Sequence, residues 1–240
     1  MSPTALLVVA KAPVPGLVKT RLCPPATHAE AARIAAASLL DTLDAVRRTP
    51  GVRPVIAMTG DLGAAAGSAE LREALRGWTV LGQRGGGFPA RLAAAHADTA
   101  AEHPGLPIVQ IGMDTPQVSP ELLAEACEAL GIADAALGPA EDGGWWVAGF
   151  RSAADARLLS GIPTSRADTG ARTLATLRAA GLRVATLSRL TDVDVMDDAL
   201  RVAELLPGSR FAASLPAACA LPAATVPRSV PGHQGAADER

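Results

Sequence analysis

Leu6-Leu7-Val8-Val9-Ala10-Lys11-Ala12-Pro13-Val14-Pro15-Gly16-Leu17-Val18-Lys19-Thr20-Arg21-Leu22 sets an apolar run directly against a basic loop. Leu6 to Ala10 is short, continuous and branched, the pattern of a buried strand. Pro13, Pro15 and Gly16 then end the strand and force an irregular path. Lys11, Lys19 and Arg21 place three cations on or beside that path. A stiff loop after a buried strand suits a polyphosphate, because backbone N–H groups near Pro15, Gly16 and Thr20 can approach the phosphates while the cations neutralise them. A solvated surface turn carrying scattered charges would read the same way, so the rest of the chain has to decide.

Downstream, strand-like and helix-like segments alternate. His28 to Thr49 carries Ala32, Ala35, Ala36, Leu39, Leu43 and Val46 at helical spacing, with Thr27 placed to cap it. Arg53 to Thr59 reads as a strand, Ala69 to Arg76 as a helix and Trp78 to Leu81 as a short strand. A glycine turn, Gln83-Arg84-Gly85-Gly86-Gly87, then opens a helix from Pro89 to Glu102. Pro107 to Met113 is the next strand, and Ser119 caps a helix running to Leu130. Ala133 to Leu137 and Trp145 to Phe150 are strands flanking Gly138-Pro139-Ala140-Glu141-Asp142-Gly143-Gly144. A helix near Ala153, another from Asp168 to Ala180, a strand from Arg183 to Leu187 and a final helix ending near Leu206 complete the pattern. Such alternation predicts a layered α/β domain with a largely parallel sheet, whose ligands bind at the carboxyl ends of its strands. One domain is expected over 1–210, and an Ala/Pro-rich disordered tail over 211–240.

The 240 residues are 49% hydrophobic and 19% charged, with no tyrosine, so the core must be built mainly of Ala, Leu and Val. A formal net charge of −2 argues against a nucleic-acid binder, and no basic cluster suggests a membrane surface. Cys23, Cys127 and Cys219 are far apart, which reads as reduced thiols in a cytoplasmic protein, with Cys23 a small space-filler. The histidines have no metal-ligand spacing. The first apolar run is too short for a secretory signal, and no run reaches membrane-spanning length.

Three acids stand where ligands would bind. Asp114 follows a buried strand, and Pro116 prevents the ladder from continuing. Asp192 and Asp194 share one face of an extended segment before the last helix. Two such carboxylates repel unless something positive lies near them. A helix N-terminus supplies part of this, in which case either acid is simply its cap, and a divalent cation supplies more. Asp142-Gly143-Gly144 reads either as a tight turn or as a ligand-facing one, with Asp142 orienting or deprotonating an acceptor. Trp145 and Trp146 favour the second, one Trp being expected in the core and one at a pocket. Gln83, Gly85 and Gly86 are candidates to meet a nucleobase, or form a plain loop.

These motifs together (Lys11 to Leu22, Gly112-Met113-Asp114-Thr115-Pro116, Leu137 to Gly149 and Asp192-Val193-Asp194) resemble the DUF2064 family over about residues 4–206. That family is also labelled radical-SAM/selenodomain-associated or arsenosugar-biosynthesis-type transferases. More distantly the chain is similar to phospholactate and molybdopterin guanylyltransferases. The resemblance implies the nucleotide-diphospho-sugar transferase superfamily and a GT-A-like α/β/α sandwich with a mostly parallel, mixed central sheet. It implies that Lys11, Lys19 and Arg21 hold a nucleotide, and that Asp114 and Asp194 bind Mg²⁺ or Mn²⁺. The sequence departs from the family pattern at Asp194-Val195-Met196-Asp197-Asp198-Ala199, at Gly87-Phe88-Pro89, and at Trp145-Trp146 where tyrosines are usual.

Three functions are compatible with this. In nucleotidyl transfer, an NTP bound by Lys11, Pro15, Gly16, Lys19, Thr20, Arg21, Gln83, Gly85, Gly86, Gly143 and Gly144 reacts with a small phosphate or phosphonate acceptor. Lys19, Arg21 and Asp142 are the catalytic candidates. In glycosyl transfer the donor is an NDP-sugar, and Asp142 or Glu141 deprotonates the acceptor. The third is a non-catalytic nucleotide-binding protein. The expected partners are therefore a nucleotide and a small acceptor; the oligomeric state is left open, a homodimer among the options.

Overall fold

The computed structural model describes residues 3–216. A seven-stranded sheet forms its centre, in the order β3-β2-β1-β4-β6-β5-β7. The strands are β1 (Thr4–Lys11), β2 (Val52–Thr59), β3 (Thr79–Gly82), β4 (Ile108–Gly112), β5 (Ala135–Pro139), β6 (Trp145–Phe150) and β7 (Val184–Thr186). β1 pairs in parallel with both β2 and β4, β2 with β3, and β5 with β7. β6 alone runs against its neighbours β4 and β5. The expected mixed, mostly parallel sheet is therefore present.

Helices cover both faces, as the apolar pattern of the central strand requires. Leu6, Val8 and Ala10 of β1 face one way. They pack with Ala32, Leu39 and Leu43 of α1 (His28–Arg48), Leu71 of α2 (Ser68–Ala74), and Leu123 and Ala126 of α4 (Pro120–Ile132). Ala5, Leu7 and Val9 face the other way. They meet Leu92 and Ala95 of α3 (Phe88–Glu102), Leu159 in a 3-10 segment (Ala153–Gly161), and Leu177 of α5 (Thr169–Ala179). This period-two alternation into two separate cores makes the three-layer sandwich. Alanines on α1 let the helix lie close to the sheet. Thr27 starts that helix with the expected cap: its hydroxyl accepts from Glu30 N, and Glu30 reaches back to Thr27 N.

A third, smaller core brings Leu22 and Ile34 against Met196, Ala199 and Val202 of α6 (Met196–Leu205), and against Phe211. Phe211 belongs to α7 (Arg210–Ser214) and is fully buried. Its N–H donates to Asp41 on α1 at 2.8 Å. Residues 211–214, the first of the expected tail, are thus helical, with Phe211 packed into this third core and its N–H bonded to Asp41. Most of the expected tail, 217–240, and Cys219 with it, lies outside the described residues. Among the described residues no helix is long and apolar enough to cross a membrane.

Candidate nucleotide and metal site

β1, β2, β3 and β4 are parallel and end at Lys11, Thr59, Gly82 and Gly112, so the segments that follow them leave from one edge. The turn between β5 and β6 and the segment after β7 emerge at the same edge. The chain's course reverses between β1 and β4: β2 lies on one side of β1 and β4 on the other. Such a switch point leaves a crevice between the two diverging connections. The basic loop after β1 and Asp114 after β4 flank it.

The loop is fastened at both ends. Ala12 N donates to Thr59 O at 2.8 Å and Pro13 O accepts from Ala66 N at 2.9 Å. Leu17 N closes a turn on Val14 O at 3.0 Å, with Gly16 at φ 76°. Val18 and Leu22 are buried, in different cores. Between these two anchors Lys19 takes φ 48° and ψ 37°, a left-handed conformation that costs a side-chain-bearing residue on the order of 1 kcal/mol. A 3-10 turn (Thr20–Leu22) follows. Lys19 Nζ lies 3.0 Å from Asp114 Oδ2, and Arg21 pairs with Asp194. One short loop thus supplies a cation to each of the two carboxylates singled out as metal ligands. Lys11 ends β1 exposed, with its N–H directed to Met113 Sδ at 3.2 Å.

The segments bearing those carboxylates are stitched together. Val193 N donates to Asp114 O at 2.9 Å, and the Thr115 hydroxyl donates to Asp192 Oδ1 at 2.6 Å. The Ser38 hydroxyl steadies the strand end from below by donating to Met113 O at 2.7 Å. Burial pushes the Asp192 carboxyl up to about 6; the charges of Asp114 and Asp142 push the same way, while the Thr115 hydroxyl and Lys19 oppose them. Neither Asp192 nor Asp194 caps α6. Val195 occupies the cap position, and Asp198 reaches back to accept from Asp194 N at 3.1 Å and Val195 N at 3.0 Å. An acid in the third position of a helix is a sequence signal for that reach-back, and it identifies Asp198. With capping done by Asp198, the carboxylates of Asp192 and Asp194 turn to Thr115 and Arg21.

The Asp142-Gly143-Gly144 turn is locked from outside. Asp142 Oδ1 accepts from Gly144 N at 2.7 Å, and Gly143 O accepts from Gly170 N at 2.7 Å. Gly143 has φ 89°, and a Cβ there would stand 1.9 Å from Ala167 O. Gly170, in the first turn of α5, is confined too: a Cβ there would stand 2.4 Å from Gly144 O. These glycines bring the start of α5 onto the turn. Trp146 is buried, its indole N–H donating to Ser188 O at 2.8 Å, while half-buried Trp145 packs at the edge of the opposite core. Gln83 donates through its amide nitrogen to Ala10 O at 2.8 Å and Ala57 O at 2.9 Å, tying off the ends of β1 and β2. Only its carbonyl oxygen would then be left to read a base. Gly85 and Gly86 follow in the exposed turn before α3.

Among the described residues no group of three or more His, Cys, Asp or Glu is arranged to hold a metal. Two carboxylates at one edge, Asp114 and Asp194, are nevertheless a donor set that suits Mg²⁺ or Mn²⁺ arriving with phosphate, since Mg²⁺ takes one or two protein carboxylates and fills its octahedron with phosphate oxygens and water. Both are partly open, with side chains 42% and 45% exposed.

The sheet order and its edge cluster define a nucleotide-diphospho-sugar transferase fold. A candidate nucleotide-diphospho-sugar transferase from Desulfovibrio desulfuricans G20 is 29% identical over 89% of this chain and 94% of its own, with a TM-score of 0.75. Rv0371c from Mycobacterium tuberculosis H37Rv, in complex with manganese, is 21% identical over 85% of this chain and 100% of its own, TM-score 0.51. CMP:2-keto-3-deoxy-manno-octonic acid synthetase complexed with CTP is 10% identical over 85% and 98%, TM-score 0.53. A family model described as an uncharacterized protein conserved in bacteria, DUF2064, matches residues 42–166, more than half of the chain. The chain belongs to that family. The matched stretch includes Asp114 and Asp142 but neither the basic loop nor Asp194. No curated protein matches the chain.

Proposed function

We propose that the protein is a divalent-metal-dependent transferase acting on a nucleotide-activated donor, and that the reaction is nucleotidyl transfer from an NTP to a small phosphate- or phosphonate-type acceptor with release of pyrophosphate. The observation that carries this is the pairing of Lys19 with Asp114 and of Arg21 with Asp194 at the switch point of the sheet. Cations and carboxylates so interleaved suit a polyanion that brings its own cation. Lys11, Lys19 and Arg21 neutralise the phosphates, with Pro15, Gly16 and Thr20 at the loop's crest. Asp114 and Asp194 would hold Mg²⁺ or Mn²⁺, which when bound supplies charge neutralisation at the reacting phosphate. Gly143 and Gly144 hold the turn against the start of α5 beside the ligand, and Asp142, exposed at the turn, receives or orients the acceptor. Gln83, Gly85 and Gly86 border the base. The protein's part is to position the acceptor in line and stabilise developing charge.

Glycosyl transfer from an NDP-sugar is the second reading, favoured by the likeness to the Desulfovibrio protein. The synthetase with CTP favours the first. Thermal-shift titration with Mg²⁺ plus each NTP, then with a panel of NDP-sugars, separates them. Stabilisation by at least one NTP is expected; stabilisation by NDP-sugars and by no NTP overturns nucleotidyl transfer.

A further inference from the structure

We infer that Asp192 is a positioning residue: through the Thr115 hydroxyl it aligns Asp194 with Asp114, without itself binding the metal. The inference rests on the proposed metal site. Asp114 opens the connection after β4 and Asp194 lies on the one after β7, 80 positions later in the numbering. Two bonds join these segments at the site: Val193 N to Asp114 O at 2.9 Å, and Thr115 Oγ1 to Asp192 Oδ1 at 2.6 Å. They fall at adjacent positions on both segments, 114 and 115 against 193 and 192, directly beside Asp194. Thr115 and Val193 are each 2% exposed, so both sides of the seam are fixed in packed surroundings. Asp194, by contrast, is 45% exposed, and its partner Arg21 is a cation that an arriving polyphosphate can draw away. The division of labour follows from chemistry: an acceptor already engaged by a hydroxyl at short distance orients its segment, and the exposed acceptor two residues on is presented. Partners that orient a ligating carboxylate are commonly worth 10- to 100-fold in metal affinity.

The two roles predict opposite outcomes for one conservative change. Asn keeps the oxygen that accepts from Thr115 but loses the charge a ligand needs. Mn²⁺ binding is measured by electron paramagnetic resonance in the presence of inorganic tripolyphosphate, a probe that needs no knowledge of the base, with thermal melting recorded alongside. Asp192→Asn should bind Mn²⁺ within about threefold of the unmodified protein, whereas Asp192→Ala and Thr115→Val should lose roughly tenfold and Thr115→Ser should recover most of it. Asp194→Asn should lose more than any of these. If Asp192→Asn loses as much as Asp194→Asn, Asp192 is a ligand and the inference is overturned. If Thr115→Val, melting as the unmodified protein does, binds Mn²⁺ unchanged, the seam does not position the site. Failure of the unmodified protein to bind Mn²⁺ with tripolyphosphate overturns the metal site itself, and the positioning role with it.

Discussion

Lys19 Nζ sits 3.0 Å from Asp114 Oδ2, so a phosphate-binding candidate and a metal-binding candidate neutralise one another in the protein alone. Arg21 and Asp194 repeat the arrangement. A bare divalent cation must compete with an ammonium and a guanidinium for the same oxygens. A nucleotide draws those cations to its phosphates and frees the carboxylates. Mn²⁺ alone should therefore bind at least tenfold more weakly than Mn²⁺ with a saturating nucleotide, and the nucleotide should gain by the same factor from the metal. Isothermal titration in both orders checks the reciprocity; equal Mn²⁺ affinity with and without nucleotide would show that the pairs impose no competition.

The left-handed backbone at Lys19 separates fold from function at a single position. Glycine relieves strain of about 1 kcal/mol there, but loses about as much through chain entropy and forgoes a partly exposed ion pair worth at most about 1 kcal/mol. Lys19→Gly should unfold in urea within about 1 kcal/mol of the unmodified protein. Lys19→Ala, which keeps the strain, should be no more stable than Lys19→Gly. Both should lose tenfold or more in nucleotide affinity. A loss of stability well beyond 1 kcal/mol in Lys19→Gly, with affinity intact, would make the residue structural.

Gly143→Ala brings a methyl to within 1.9 Å of Ala167 O at a φ that disfavours it. The turn or the start of α5 must move, at a cost of roughly 3 kcal/mol or more. Urea unfolding should register that loss, and amides near Gly170 should exchange faster. Unchanged exchange at Gly170 would mean that the turn and α5 are not coupled.

His96 lies fully buried, its Nε2 3.1 Å from Gln110 Oε1 and its ring edge-on to Phe150 at 5.2 Å. Burial holds its pKa down to about 4, against 6.5 for a free imidazole, and the Gln110 bond only partly offsets this. Between those values the unfolded chain binds a proton that the folded one refuses. Stability should therefore fall as pH drops from 6.5 to 4, by roughly 3 kcal/mol in full. His96→Gln should flatten the slope of stability against pH over that window, whatever it does to stability at pH 7. An unchanged slope would place the acid sensitivity elsewhere.

The fold was legible where period and punctuation agreed. The apolar run of β1, the capping pair of α1 and the Ser119 start of α4 each lie within a few residues of one another, and local chemistry decides them. The edge cluster was legible in part, because a parallel sheet sends every strand's carboxyl end the same way. Contacts between distant segments were not. Nothing in the spacing of Thr115 and Asp192 announces their bond, and Gly170 reads as an ordinary helical glycine until Gly143 is found against it. The division between Asp198 as reach-back cap and Asp194 as exposed acid was available from position but obscured by three carboxylates in a run of five residues. Phe211 was missed because it stands alone among small and polar neighbours, without a periodic pattern.

The pairing of one basic loop with acids at 114 and 194 also fixes an order of events during synthesis. The ribosome makes β1, an interior strand of the sheet, before the other six, and the loop behind it emerges with two cations and no counter-charge. The first arrives with β4, and the second only when the segment before α6 has been added. A growing chain can thus lay down all seven strands of the sheet while the crevice is still incomplete, and the binding centre is completed only after the sheet.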